Sequence, residues 1–140
     1  MIKKRLQWTR AAVVAGATLL SAGAFAAPTY YQVVALNSDG TSNNLCYIFD
    51  GTKDAPTLDM GNGYVVPIRW GDNDTRKTDF MWVRGNGGIS GFMMSGSFLN
   101  QRTALKAQYV GWNPEWGFIS SVLTGTLTTA QACWTDQSPP

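Results

Sequence analysis

From residue 29 to residue 128 the chain is a succession of short runs that alternate apolar and polar residues, each ended by a turn signal. In an extended strand successive side chains point to opposite faces, so a period of two builds one buried face and one solvated face. The runs are 29–36 (TYYQVVAL), 45–49 (LCYIF), 64–70 (YVVPIRW), 78–84 (TDFMWVR), 89–99 (ISGFMMSGSFL), 104–112 (ALKAQYVGW) and 116–128 (WGFISSVLTGTLT). They are rich in β-branched and aromatic residues, which suit a pleated, half-buried surface. Between them stand Asp39-Gly40, Asp50-Gly51, the glycine-rich 85–88 and Asn113-Pro114. These residue types tolerate positive φ or preset a turn. Residues 51–63, with Pro56, Gly61 and Gly63, read as a loop, and 71–77 as a polar loop.

Three features qualify the pattern. Pro67 cannot donate a ladder hydrogen bond, so 64–70 belongs at a sheet edge or a bulge. Gly91, Gly96 and Gly125 inside strands mark bends or close approach of neighbouring atoms. Residues 104–112 contain helix formers, but Leu105, Ala107 and Tyr109 alternate with Lys106 and Gln108, and Tyr-Val-Gly-Trp is a poor helix end; a strand is predicted. The fold expected is all-β: one small antiparallel barrel or sandwich of about seven strands, without repeats or a second domain. Residues 129–134 close it and carry Cys133, and the tail from residue 135 reads as frayed.

The N-terminus has a different character. Lys3, Lys4, Arg5 and Arg10 precede an apolar stretch at 11–20, then small residues and Ala24-Phe25-Ala26. This is the pattern of a secretory signal cleaved after Ala26. The apolar stretch is too short and too rich in Ala and Gly for the ~20 residues that cross a bilayer core. The expected organisation is therefore a signal over residues 1–26 and a single β-rich domain over 27–140. The domain is exported to the periplasm or external medium and keeps no stable membrane insertion.

Processing changes the charge. The chain has 11 basic and 9 acidic residues. Four basic residues lie before the cleavage point, which leaves seven against nine acids. A mildly acidic domain lacks the basic footprint that nucleic acid or anionic lipid requires. Cys46 and Cys133 both lie in the exported part, where an oxidising compartment favours a disulfide. Closing a loop of that length stabilises by about 4–5 kcal/mol in the chain-entropy account.

The sequence contains no histidine. Ser-His-Asp and Cys-His catalysis and the usual zinc sites are thereby excluded. No Walker or dinucleotide loop is present; 85–88 is glycine-rich but stands between two strands rather than before a helix. No cofactor is implied. Carboxylate chemistry remains, and Glu115, the sole glutamate, sits between Trp112 and Trp116. It is the candidate acid, but glycoside cleavage needs a second carboxyl facing it. Asp72, Asp74 and Asp79 form a candidate oxygen-ligand cluster for calcium. That cluster lacks the turn glycine and closing glutamate, and Arg76 and Lys77 adjoin it.

Trp70, Trp82, Trp112 and Trp116 are the candidate ligand-binding residues, since exposed aromatic rings dominate recognition surfaces. At least one of them is expected to be well exposed. Phe92-Met93-Met94 adds a soft apolar run suited to a core or to an adaptable patch. The expectation is an exported, non-enzymatic binding domain that recognises a protein, a glycan or a small apolar ligand, such as an inhibitor or immunity-type factor. The alternatives are a small carboxylate-dependent hydrolase of glycans or cell wall, and a structural or assembly subunit.

Overall fold

The computed structural model describes residues 27–71, 76–86, 88 and 90–135. The signal at 1–26, Asp72 and Asp74, and the tail beyond residue 135 lie outside them. Nine strands form one antiparallel sheet: β1 (Thr29–Asn37), β2 (Ser42–Gly51), β3 (Pro56–Asp59), β4 (Val65–Pro67), β5 (Arg69–Trp70), β6 (Asp79–Asn86), β7 (Ser90–Leu99), β8 (Ala104–Asn113) and β9 (Gly117–Thr128). The sheet order is β4-β3-β2-β1-β9-β8-β7-β6-β5.

The two ends of that order are consecutive in the chain. Within one extended segment, β4 pairs with β3 (Leu58 opposite Val66) and β5 pairs with β6 (Trp70 opposite Phe80). The hinge is Ile68, whose N–H still donates to Pro56 O at 3.1 Å. The sheet thus curls into a nearly closed barrel rather than a sandwich, and Pro67 stands at the edge its missing N–H suits.

The strand count is a correction. Residues 51–63 contain β3, a four-residue strand in which Leu58 is fully buried. Pro56 at its first position concealed it, although proline is tolerated there. The run 64–70 is two strands, because its halves pair with opposite edges of the sheet. Residues 104–112 are strand β8, as the alternation required.

Alternation places Tyr31, Val33 and Ala35 of β1, Tyr47 and Phe49 of β2, and Leu105 and Ala107 of β8 inside the barrel. Near one end Tyr31, Phe49, Phe80 and Phe98 pack with ring centroids 4.9–5.6 Å apart. Gly125 is buried and Gly96 half-buried against that packing. A Cβ on Gly96 would stand 2.7 Å from Phe80, and one on Gly125 2.7 Å from the Leu105 side chain.

That end is also plugged. Asn100, Gln101 and Arg102 all have positive φ, and the tight turn they form brings the Arg102 guanidinium over the rings of Phe98 (5.0 Å) and Trp70 (5.6 Å). The Tyr31 hydroxyl donates to Arg102 O at 2.6 Å. The last element, helix α1 (Ala130–Thr135), is capped by Thr129, whose hydroxyl accepts from Ala132 N–H. The Cys46–Cys133 disulfide ties α1 to the outer side of β2, with Cα atoms 5.3 Å apart and both cysteines buried.

Candidate functional site

The four candidate tryptophans separate by strand parity. Trp82 shares the inward face of β6 with Phe80 and is only 7 % exposed. Its ring stacks on Tyr109, with centroids 6.5 Å apart and planes 12° from parallel. Trp70 is half-buried at the plugged end, and its indole N–H donates to Lys53 O at 2.9 Å. Trp112 and Trp116 face solvent and are 44 % and 66 % exposed.

Trp112 lies on the outward parity of β8, opposite Phe118 of β9, which is 67 % exposed. Across the sheet Val83 of β6 stands opposite Met93 of β7, and Met93 opposite Val110 of β8. Val83 and Met93 are 63 % and 44 % exposed. Four adjacent strands therefore carry a continuous outward apolar band. It frames a shallow groove of about 380 Å³ floored by Gly85, Gly91 and Gly111. The missing side chains of Gly85 and Gly91 keep the floor low. Gly111 leaves room for the Phe92 ring, which occupies the space where a Cβ would stand.

The β8–β9 turn holds Trp116 at the edge of this band. Asn113 Oδ1 accepts from both Glu115 N–H (3.0 Å) and Trp116 N–H (2.7 Å), and Gly117 turns with φ +70°. This side-chain-capped turn fixes where the indole leaves the chain. Glu115 is exposed on the same turn and is absent from the lining of the groove.

The acidic candidates are not brought together in what is described. Asp72 and Asp74 lie outside the described residues. Asp79 begins β6 and accepts from the Ser97 hydroxyl at 2.6 Å. Among the described residues no cluster of three metal-ligating side chains occurs. A further groove of about 640 Å³ runs along the barrel seam, between Asp54, Pro67 and Arg69 on one side and Met81 and Val83 on the other.

Sequence reasoning missed Phe118 and Val83 as surface residues. The signal was available. If Leu105, Ala107 and Tyr109 point inward, Trp112 points outward, and its cross-strand neighbour must do so too. Compared with known protein families, with characterised proteins and with solved structures, the chain matches none.

Proposed function

We propose that this protein is an exported, non-enzymatic binding domain that docks a protein partner through the outer face of β6–β9. The observation that carries the reading is the exposed band of Val83, Met93, Trp112 and Phe118, with Trp116 exposed on the adjoining turn. Val34, Leu36, Val65 and Val122 are also exposed, but the β6–β9 face is where exposed apolar side chains frame a groove, and a contiguous apolar patch marks an interaction site. Aromatic and methionine side chains are the types that concentrate binding energy. The groove is shallow and open, which suits a flat protein surface better than an enclosed small molecule. Charged side chains do not line it apart from Arg84, so contact rests on desolvation of apolar surface.

Two further features support the reading. Toward the Arg102 end the barrel interior is filled by aromatic side chains, with Gln32, Ser95, Lys106, Gln108 and Thr124 among the outward positions. Membrane barrels show the reverse arrangement, polar inside and apolar outside. The leader pattern and the paired cysteines favour export to the periplasm or the medium.

The test is affinity capture from the culture supernatant of the producing organism with three forms of the purified protein. The wild-type protein retains a defined partner, Trp112→Ser with Phe118→Ser loses it while keeping the native far-UV spectrum, and Glu115→Gln retains it. Equal capture by the double variant overturns the assignment of the face. Glycan or cell-wall cleavage that Glu115→Gln abolishes overturns the non-enzymatic reading.

A further inference from the structure

The barrel is plugged at the Arg102 end and open at the other, where β1, β2, β3, β8 and β9 border a cavity of about 380 Å³. This mouth faces the barrel interior and is separate from the outer band. Its polar lining consists of Asn37, Asn43, Asn62, Tyr47, Tyr109 and Ser121, and it carries no charged side chain.

The polar groups are held in place. Asn37 accepts from the Ser121 hydroxyl at 2.6 Å and donates to Thr41 Oγ1 at 3.0 Å. The Tyr109 ring lies nearly parallel to those of Trp82 and Phe92, with centroids 6.5 and 6.1 Å away. Tyr47 is 3 % exposed and lines the cavity, and among the described residues no buried side-chain polar atom is left without a partner. A phenol on the cavity wall can donate to, or accept from, a polar group that enters the mouth. Burial raises the ionisation of both Tyr47 and Tyr109 above the ordinary tyrosine value, which keeps both phenols neutral donors.

We propose that the open end of the barrel is a second site, which binds an uncharged single sugar ring bearing an N-acyl group. Three observations select that chemistry. Without a charged lining residue, an ionic ligand would lose its hydration with no compensating partner. Asparagine amides and phenol hydroxyls both donate and accept, which suits vicinal hydroxyls and an amide. The Tyr109 ring already stacks beside Trp82 and Phe92. The apolar lining is aliphatic instead, with Leu45, Met60 and Ile119 placed to receive the acyl methyl. The cavity volume is at the small end of ligand pockets and admits a single ring.

The test titrates the purified protein by calorimetry with N-acetylglucosamine, glucose, glucosamine and glucuronate. N-acetylglucosamine binds saturably and at least tenfold more tightly than the other three. Tyr47→Phe, which preserves the ring, weakens it at least tenfold; Ile119→Trp, which fills the rim, abolishes it. Trp112→Ser leaves this affinity unchanged, which separates the site from the outer face. The proposal falls if N-acetylglucosamine shows no saturable binding, if a charged analogue binds equally well, or if Tyr47→Phe binds as the wild type does.

Discussion

Gly96 and Gly85 lie in adjacent strands of the same barrel and are expected to respond oppositely to the same substitution. A methyl group on Gly96 would meet Ala107 Cβ and Phe80 Cζ at 2.7 Å and Lys106 O at 2.8 Å. The backbone oxygen cannot give way, so Gly96→Ala destabilises by about 1–3 kcal/mol through overpacking. Gly85 has nothing within 4 Å of its Cβ position and no positive φ. Gly85→Ala is therefore within about 0.5 kcal/mol of the wild type. Paired urea melts decide this, and equal midpoints for the two variants would contradict the packing described. The special role of Gly96 was legible in the sequence, because a glycine inside an aromatic strand signals close approach. Its partners were not, because they depend on how β7 registers against β8. The same holds for the tryptophans. Their sorting into core and surface was not legible: Trp82 lies inside with Phe80, and Trp112 lies outside opposite Phe118, only once the strands are paired, and the indole of Trp70 depends on a contact with Lys53, 17 residues earlier.

The elements differ in how they are anchored. Strand β1 sits between β2 and β9, so the first and last strands hold each other. Helix α1 is six residues long, well short of a length that is stable alone. Its docking rests on the disulfide to β2. Reduction is expected to lower stability by up to about 4–5 kcal/mol. It should also speed amide exchange in α1 before the strands are affected. Exchange measured with and without reductant checks the order, and simultaneous loss of protection in α1 and β8 would contradict it. The cysteine pairing was readable from the chain because only two cysteines exist and both follow the leader that the sequence predicts. Strand β3 and the division of the run 64–70 into β4 and β5 were not, since such short strands show no period of their own and are recognisable only through their pairing partners. The seam at Ile68 is likewise a property of closure, invisible in any local window.

For the whole molecule, the aromatic interior sets the response to pH. Desolvation raises the ionisation of Tyr31, Tyr47 and Tyr109 above the ordinary tyrosine value of 10.0. The folded state therefore holds these protons more tightly than the unfolded chain. Their contribution is complete below about pH 10 and declines as pH rises through and above that value. No histidine is present to add a transition near neutrality. Chemical-denaturation midpoints should fall steeply in alkali, and less steeply for Tyr47→Phe. An identical alkaline slope for that variant would contradict the buried position of its hydroxyl. The all-β fold was legible because the long runs shared one period, whereas the choice of barrel over sandwich rests on the closure of the sheet at β4 and β5. The binding face was legible only in part, since Phe118 and Val83 join Trp112 across strands that local sequence does not pair.

The most direct test of recognition through the outer face is hydrogen exchange on the protein with its captured partner bound, compared with the free protein. Protection should concentrate in the backbone of residues 83–86, 91–94 and 110–120, leaving β2 and β3 unchanged. Protection confined to β1–β3, or to the barrel seam, would place the interface elsewhere and contradict the account.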